Sequence, residues 1–379
     1  MEMQSLPVAI IGAGPVGLAA AAHLLARGLK PLVIEAGSTA GASILKWGHV
    51  SIFSPWHYDI DKEARKLLEA EGWQVPDLDS YPTGRELVEK YLIPLSETAT
   101  LKPLIRYNSK VAAVTRFGRD LMKDQGRRST PFLVRVQTQD GEYDLLVRAV
   151  IDASGTFEKP NPMGAHGIPA AGEKTAAEHI AYGIPDVLDT ESDRYANKRI
   201  LVVGSGHSAF NVLQDLVRLK GQAPGTTIYW AIRRSSLGAV LGGGENDKLQ
   251  ERGRLGSSVR QLVKNGSVTL LTGISIERLQ KTGSGFVAES HGDELPAVDE
   301  IIVTTGFRPD LTILSEVRLS LDPGTQSPTV LAPLIDPNLH SCGTVRPHGA
   351  EELRHPEENF YIVGMKSYGR APTFLLLTG

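Results

Sequence analysis

Apolar runs and Ala- and Leu-rich stretches alternate at the start of the chain in the order strand, helix, strand. Residues 7–35 open with the run VAII, continue through LAAAAHLL and end in PLVIE, which predicts a β-α-β unit. The apolar spacing then predicts amphipathic helices over 59–72 and 84–98, the second one broken or ended near Pro94. Strands that alternate with helices favour an α/β domain built on a parallel sheet.

Three β-favouring segments follow this first unit. VAAVTRF, PFLVRVQT and YDLLVRAVIDASG alternate or run apolar, which predicts an antiparallel meander that returns to the parallel sheet at 152–155. A Pro- and Gly-rich passage over 159–172 then indicates a crossover into another domain.

A second α/β pattern occupies residues 160–308. Its signals are a strand-turn-helix at 199–220, an Arg-ended strand at 226–234, the loop LGGG, a helix near 247–264 and the run VTLLTG. Its last segment, VDEIIVTTGFRPD, echoes LVRAVIDASGTFEKP, because each joins an apolar strand to two small residues, a glycine, an aromatic residue and a nearby proline. Paired crossover strands of this kind predict a discontinuous first domain, with segments 1–158, 159–308 and 309–379.

The first strand runs into the turn GAGPVG, with Gly12, Gly14 and Gly17 in the GxGxxG spacing and Pro15 opening the helix. The first glycine permits a tight turn, the second lets the backbone approach a pyrophosphate, and the third position must be small. The N–H groups and dipole of the helix N-terminus favour the diphosphate. Glu35 stands 18 residues after Gly17 and can accept hydrogen bonds from ribose hydroxyls, so a ribose without a phosphate is expected there.

The second turn, GSGHSA, has Gly204, Gly206 and Ala209 in the GxGxxA variant. An arginine where the first unit has its carboxylate pairs with a 2′-phosphate, because its planar fork of donors matches phosphate oxygens. Arg233, followed by Arg234, occupies that place, so NADPH is favoured over NADH. A solvated strand end is the alternative reading of the two arginines.

Three further side chains lie within the second turn, and they are expected to contribute to cofactor binding: Ser205, His207 and Ser208. His207 and Ser208 can donate to a phosphate, but a helix N-terminus also favours Ser for capping alone, and both readings stay open. The expected fold class is α/β, with two Rossmann-like dinucleotide-binding domains and the second inserted into the first.

Composition excludes several classes of function. The chain has 379 residues, 41% of them hydrophobic and 22% charged, with a net charge of −3, which is ordinary for a globular enzyme and gives no reason to expect nucleic acid or an anionic membrane. The apolar runs are too short for a membrane span, and the ten histidines show no metal-ligand spacing. A cytoplasmic enzyme without a metal is expected, and the basic cluster at 123–128 is interpreted as a solvated hairpin tip.

The chain has one cysteine, Cys342, which forbids an internal disulfide and a CxxC redox pair. We interpret it as a buried, inert thiol, with a reactive thiol as the alternative. Electrons that enter this protein therefore cannot leave through a dithiol.

The glycine turns with Glu35 and Arg233, together with the linker strands ending IDASG and VTTG, resemble the flavin-containing monooxygenase and thioredoxin-reductase-like superfamily. The resemblance covers nearly the whole chain. It implies an FAD domain, 1–158 and 309–379, interrupted by an NADPH domain, 159–308. The stretch LKWGHVSIFSPW resembles a tryptophan-bearing segment near the flavin in small bacterial flavin monooxygenases, FYIVG resembles the late FAD-domain strand, and APTFLLLTG resembles the start of the closing helix.

The resemblance adds further expected cofactor contacts: Trp47, Gly155, Gly306, Gly364 and Thr373. The residues proposed for catalysis are Trp47, His49 and His57. His49 and His57 are expected to handle protons or orient substrate, although a lone histidine is more often structural. Lys366 and Arg370 can neutralise a reduced flavin or an acidic substrate, with solvation at a helix start as the alternative.

Three departures from the family pattern affect these expectations. The signature FxGxxxHS has no counterpart, and its nearest candidate, EHIAYGIP around His179, has different neighbours. The Gly-Asp pair of the late FAD strand is replaced by Gly364 and Met365, so the carboxylate contact to the ribityl chain is not assignable. The closing helix has barely begun at Gly379, so we expect further residues in the natural protein.

The implied activity is an FAD-dependent monooxygenase that consumes NADPH. Through a C4a-peroxyflavin it would insert one oxygen from O2 into a small nucleophilic substrate based on nitrogen, sulfur or trivalent arsenic. The aromatic residues at 46–58 (Trp47, Phe53, Trp56 and Tyr58) can form a water-excluding wall, with core packing as the alternative.

Two other functions stay open. One is an NADPH-dependent reductase that passes electrons to a quinone, a metal species or an electron-carrier protein. The other is a flavin-bearing sensor without turnover. The expected partners are a small-molecule substrate and O2, and a homodimer stays open.

Overall fold

The computed structural model describes residues 3–238, 250–339 and 348–371. The chain divides into two compact units, Met1–Lys159 with Arg308–Gly379, and Pro160–Phe307. Within the described ranges, no helix combines the length and the hydropathy that a membrane span requires.

The strands of the described ranges are short and belong to four sheets. In chain order they are β1 (Val8–Ile11), β2 (Pro31–Ile34), β3 (Ile105–Arg106), β4 (Lys110–Arg116), β5 (Phe132–Thr138), β6 (Gly141–Val147), β7 (Ala149–Asp152), β8 (Ile180–Tyr182), β9 (Arg199–Val203), β10 (Thr227–Ala231), β11 (Thr269–Leu271), β12 (Ile276–Thr282), β13 (Gly285–Ser290), β14 (Asp293–Glu294), β15 (Glu300–Val303) and β16 (Phe360–Ile362).

The α-helices are α1 (Pro15–Leu25), α2 (Ala42–Leu45), α3 (Trp56–Asp59), α4 (Lys62–Glu69), α5 (Gly84–Leu87), α6 (Ile93–Glu97), α7 (Ser192–Tyr195), α8 (His207–Gln222), α9 (Gln250–Lys264) and α10 (Ala332–Ile335). A π-helical turn covers Val88–Leu92. Short 3₁₀ turns cover Met3–Ser5, Lys102–Leu104, Ala177–His179, Thr312–Leu314 and Gly364–Tyr368.

The first unit is built on a parallel sheet with strand order β16-β7-β1-β2-β3. Strand β1 is buried along its whole length, as a central strand covered on both faces should be. One core contains Ile10, Leu18 and Val33 under the helices, and another contains Ala9, Val134 and Phe360 under the meander β4-β5-β6. The predicted antiparallel meander is confirmed, and it returns to the parallel sheet through β7.

The two predicted amphipathic helices of this unit form with shifted or altered bounds. The first begins at Lys62 because Asp61 caps it, its carboxylate accepting from the N–H groups of Glu63 and Ala64. The second begins at a capping box between Thr83 and Glu86, and the run of turns continues to Glu97. Pro94 has no N–H to donate to the preceding turn, and a π turn over Val88–Leu92 interrupts the α-helix just before it. This π turn is the break that the sequence predicts near Pro94.

The second unit repeats this plan. Its parallel sheet has the order β11-β10-β9-β15-β8, and an antiparallel meander β12-β13-β14 lies between β11 and β15 in the chain. Helix α8 follows β9 and buries Phe210, Leu213 and Leu216. The predicted helix near 247–264 is present as α9, whereas the loop LGGG lies outside the described residues.

The basic cluster at 123–128 corrects one expectation, because it is not a wholly solvated tip. Arg127 is 4% exposed, and its guanidinium donates to Glu357 Oε2 at 2.7 Å. Arg116 donates to the other carboxylate oxygen of Glu357 at 2.8 Å and lies over the Phe132 ring. A run of basic residues does not reveal a buried acidic partner 230 positions away in the chain.

Candidate functional site

The first unit has a topological switch point between β1 and β7. From β1 the chain adds β2 and β3 on one side, whereas β7 and β16 lie on the other. Ile11 and Asp152, the last residues of β1 and β7, are directly paired. Ligands of open α/β sheets bind outside the carboxyl ends of the strands at such a point. The crevice beside Gly12 is therefore the candidate site of this unit.

The three glycines of the first turn have different surroundings. Gly12 has φ +100°, and a Cβ there would lie 2.9 Å from the carbonyl oxygen of Ala153. A Cβ at Gly17 would lie 2.0 Å from the Gly12 carbonyl oxygen, so only glycine fits where α1 crosses the turn. A Cβ at Gly14 would meet nothing within 4 Å. The protein packs against the first and third glycines and leaves open space at the second, where a pyrophosphate can approach the first turn of α1, which Pro15 opens.

Glu35 is fixed beside this turn. Its Oε2 accepts from the N–H of Ala13 at 2.6 Å, and its Oε1 accepts from the N–H of Gly37 at 2.7 Å. Each carboxylate oxygen has a further lone pair after these bonds. The half-buried carboxylate can therefore still accept from ribose hydroxyls, and the residues present fit the adenosine half of a flavin dinucleotide.

A buried ion pair lies at the same edge of the sheet. Lys366 Nζ donates to Asp152 Oδ2 at 2.7 Å, and the two side chains are 1% and 0% exposed. The ammonium also donates to Ser154 Oγ at 3.0 Å, and that hydroxyl donates to Asp152 Oδ1 at 2.6 Å. The sequence suggested Lys366 as a counter-charge for the flavin, but the structure shows that Asp152 already neutralises it.

Two glycines with positive φ border this pair. Gly155 has φ +70° and open space at its Cβ position. Gly364 has φ +66°, and its Cβ position is 3.1 Å from Cγ2 of Val16 in the first turn of α1. Both predicted glycines thus lie at turns that only glycine adopts easily, one of them packed against the helix that begins the site.

The second unit has an equivalent switch point between β9 and β15. Gly204 has φ +129°, and a Cβ there would lie 2.6 Å from the carbonyl oxygen of Thr304. Gly206 has nothing within 4 Å of its Cβ position, and Ala209 is fully buried in the first turn of α8. The pattern of two packed positions and one open position is therefore the same as in the first unit.

Trp230 of β10 holds this second turn. Its indole Nε1 donates to the Gly204 carbonyl oxygen at 2.7 Å, and the side chain is fully buried. Phe210 meets the indole edge-on at a centroid distance of 5.9 Å, and His207 meets Phe210 edge-on at 5.4 Å. Sequence reasoning missed Trp230, although a tryptophan in the strand after a glycine turn is a signal that could have been used.

The remaining residues predicted for the second site lie around this turn. Arg233 and Arg234 follow β10 directly and are exposed, while Ser205 and Ser208 are half-buried. At the end of β15, Gly306 has φ +85° and its N-terminal neighbour Thr305 accepts from the Asn161 amide at 3.0 Å. Assignment of these side chains to a bound nucleotide stays a prediction.

The three residues predicted for catalysis have separate sets of neighbours in the first unit. Trp47 packs its ring against Gly84, whose Cβ position is 2.9 Å from Cζ3. His49 has a buried Nε2 without a hydrogen-bond partner. His57 is exposed, with Nδ1 3.1 Å from the carbonyl oxygen of Leu78. Their contacts support a structural role for Trp47 and leave the catalytic assignments as predictions.

The aromatic residues at 46–58 are divided between core and surface. Trp56 is 2% exposed and belongs to the core under the helices, whereas Tyr58 is 43% exposed. The core-packing interpretation therefore applies to Trp56. The water-excluding wall of the four aromatic residues stays a prediction.

A buried acid that the sequence did not reveal ends α3. Asp59 is 5% exposed, accepts from Ser54 Oγ at 2.5 Å and has a second oxygen, Oδ2, without a partner. Burial raises the pKa of Asp59 to about 7, against the opposing effects of Ser54 and His57. The sequence carries no local signal for this acid, because polar residues such as His57, Asp61 and Lys62 lie close to Asp59 in the chain.

Several predicted positions fall elsewhere. His179 contacts Glu300, Nδ1 to Oε1 at 2.9 Å, and its ring meets Phe286 at a tilted angle of 47°, which gives it a structural place at the edge of the second sheet. Thr373 and Cys342 lie outside the described residues, and so does the closing segment APTFLLLTG apart from its first residue, Ala371.

Two dinucleotide-type turns at two switch points define a class of protein that handles paired nucleotide cofactors. Residues 9–331 match the family described as pyridine nucleotide-disulphide oxidoreductase, and the chain belongs to this family.

Relatives and solved structures show how far the likeness extends. The ferredoxin–NADP reductase 1 of Oceanobacillus iheyensis is 24% identical over 316 residues, which cover 82% of this chain and 73% of the relative. The bacillithiol disulfide reductase Bdr (YpdA) from Bacillus cereus has a TM-score of 0.71 at 19% identity, covering 98% of this chain and 94% of its own. The cadaverine monooxygenase of desferrioxamine biosynthesis from Erwinia amylovora, solved with FAD bound, has a TM-score of 0.66 at 13% identity, with coverage of 97% and 90%.

These comparisons confirm the expected superfamily, the α/β fold and the class of enzyme. The chain is a flavoprotein-type oxidoreductase of a family that uses pyridine nucleotides. FAD and NADP are the cofactors named for the relatives, in agreement with the cofactors expected from the two turns.

Proposed function

We propose that the first unit holds FAD and the second holds NADPH, and that NADPH reduces the flavin. The observation that carries this proposal is the repeated arrangement at both switch points, where a glycine with open space faces the N-terminus of a helix. Glu35 beside the first turn suits a ribose with free hydroxyls. Arg233 after β10 suits a ribose phosphate.

The protein's contribution is to bind and orient the two nucleotides. The first-turn N–H groups of α1 and α8 bind the two diphosphates, and Gly14 and Gly206 let them come close. When bound, FAD supplies the hydride acceptor and the centre at which O2 is activated.

We further propose that the electrons go to O2 and that one oxygen atom enters a small nucleophilic substrate based on nitrogen, sulfur or trivalent arsenic. With one cysteine in the chain, an internal dithiol cannot accept the electrons from the flavin. The fold likeness to the cadaverine monooxygenase over 97% of the chain supports this choice of acceptor.

The test begins with the purified protein and FAD under anaerobic conditions. Addition of NADPH should bleach the flavin absorbance, and the Gly206→Ala variant should bleach much more slowly because its added methyl group occupies the phosphate space. Turnover under ¹⁸O₂ with an amine, a thioether or a trivalent arsenic compound should then give a product that carries one labelled oxygen. A colourless polypeptide that cannot be reconstituted with flavin would contradict the whole proposal.

A second candidate is an NADPH-dependent reductase for a quinone, a metal species or an electron-carrier protein. It is favoured by the ferredoxin–NADP reductase that aligns with 82% of this chain. Steady anaerobic turnover with a quinone or a ferredoxin, together with no labelled product under ¹⁸O₂, would replace the monooxygenase by this reductase.

A further inference from the structure

We propose that the buried Asp152–Lys366 pair is part of the flavin site of the first unit, where it positions the turn after β7 and keeps the local charge neutral. This inference rests on the proposed function, because it assumes that FAD binds at the first switch point. In this role Asp152 and Lys366 neutralise each other, so Lys366 does not act as an unpaired positive charge beside the flavin.

The location of the pair argues for this role. Asp152 is the last residue of β7 and is paired with Ile11, the residue just before Gly12. Adjacent strands of a sheet lie about 4.8 Å apart, so the carboxylate is one strand away from the turn that faces the nucleotide. Gly364, two residues before Lys366, packs against Val16 in the first turn of α1.

The contacts of the pair tie two separate turns together. Lys366 comes from the 3₁₀ turn Gly364–Tyr368, and its ammonium reaches both Asp152 Oδ2 and Ser154 Oγ. The N–H of Ser154 also donates to Asp152 Oδ1 at 3.1 Å. Ser154 precedes Gly155, whose Cβ position is open, so the network fixes the backbone at the edge where the flavin would lie.

The charges of the pair argue for a second effect. Both groups are almost fully buried, and charges in such an environment act strongly on their neighbours because water does not screen them. Reduction adds negative charge to a bound flavin. An unpaired ammonium would therefore favour the reduced form and an unpaired carboxylate would oppose it, whereas the intact pair has little net effect.

The experiment measures the flavin midpoint potential and the FAD dissociation constant of purified holoprotein. Asp152→Asn should raise the potential and Lys366→Met should lower it, each by a tenfold or larger change in the reduction equilibrium, or about 30 mV for two electrons. The double variant, which leaves no unpaired charge, should return close to the parent. Glu357→Gln is the matched control, because it breaks another buried pair of this unit at the opposite end of β16 and should leave the potential unchanged.

Ser154→Ala tests the positioning role without disturbing the charges. Ser154 is exposed, so the variant should fold, and the loss of its hydroxyl should weaken FAD binding several-fold. If the Asp152 and Lys366 single variants bind FAD with the parent's potential, the charge role is wrong. It is also wrong if neither single variant folds and the double variant, which does fold, has an altered potential. If Ser154→Ala binds FAD as tightly as the parent, the positioning role is wrong. A parent protein that binds no FAD would refute the proposed function instead.

Discussion

The indole nitrogen of Trp230 donates a hydrogen bond to the carbonyl oxygen of Gly204 across 2.7 Å, which joins β10 to the glycine turn of the second unit. Trp230→Phe keeps an aromatic ring but leaves this carbonyl without its donor. We expect a loss of about 1–2 kcal/mol in the free energy of unfolding and weaker NADPH binding, because a buried unsatisfied acceptor costs about 1–3 kcal/mol. Chemical denaturation and fluorescence titration with NADPH check the two effects. Unchanged affinity in a stable variant would show that the bond does not shape the nucleotide site.

Arg233→Ala tests the assignment of the 2′-phosphate. We expect NADPH binding to weaken by about 1.5–3 kcal/mol, as for a lost charged hydrogen bond, and NADH binding to stay the same. Titration of the same preparation with both nucleotides measures the difference. Arg218→Ala, which removes an exposed arginine of α8, is the control. Equal losses for both nucleotides would show that Arg233 does not contact the phosphate.

Gly14→Ala tests the open space at the first turn. Gly14 has φ −78°, a conformation open to any residue, and its Cβ position is free of protein atoms. The variant should therefore fold with nearly the parent's stability yet lose most of its FAD. Gly17→Ala should instead destabilise the fold, because its methyl group would lie 2.0 Å from a backbone oxygen. Flavin absorbance per mole of protein and thermal unfolding separate the two outcomes, and full flavin content in Gly14→Ala would contradict the site.

The pKa of Asp59, raised by burial to about 7, makes the stability of the first unit depend on pH. The folded state holds a proton that the unfolded state releases near pH 4, so this contribution weakens as the pH rises from about 4 to about 7. Relative to the parent, Asp59→Asn should become more stable with rising pH, by a total on the order of 4 kcal/mol. Urea unfolding at several pH values measures this trend. Asp79→Asn, which changes a 94% exposed side chain, is the control and should show no such trend. If the free energy of unfolding of Asp59→Asn and of the parent changes with pH in the same way, the prediction for Asp59 is wrong.

Glu357 lies between the guanidinium groups of Arg116 and Arg127, each within 2.9 Å. Burial opposes its ionisation, but the bonds from the two arginines outweigh burial and hold the pKa of Glu357 below its usual value. Glu357→Gln leaves two buried cations unpaired and should cost about 3–5 kcal/mol. Denaturant unfolding should show this loss, whereas Asp144→Asn in the exposed pair with Arg135 should cost less than about 1 kcal/mol. Similar small losses in both variants would contradict a stabilising buried triad of Arg116, Arg127 and Glu357.

The sequence predicted most of the features that depend on local pattern. Gly12, Gly17 and Gly204 occupy turns with positive φ or close backbone contacts, so their spacing carries the physics of the turn directly. The meander likewise follows from alternation, and the break near Pro94 from that proline, whereas the predicted start at 59 was wrong because Asp61 caps a helix that begins at Lys62. These signals lie within a few residues of the structure that they specify.

The features that the sequence missed depend on partners far away in the chain. Lys366 and Asp152 are 214 positions apart, so the sequence could suggest a cation near the flavin but not its neutralisation. Asp59 has an ordinary local context, and its altered protonation comes from burial within the helical layer. Aromatic density at 46–58 did not distinguish the buried Trp56 from the exposed Tyr58.

The triad around Glu357 also sets an order of events during synthesis. Arg127 leaves the ribosome 230 residues before Glu357, and the whole second unit is made in that interval. The guanidinium groups of Arg116 and Arg127 thus wait for Glu357, and β7 waits for β16, while the inserted unit emerges. The inserted unit can fold as soon as it is released, but the unit that begins the chain closes last, and a nascent chain that stalls before residue 357 would expose an incomplete sheet edge to chaperones and proteases.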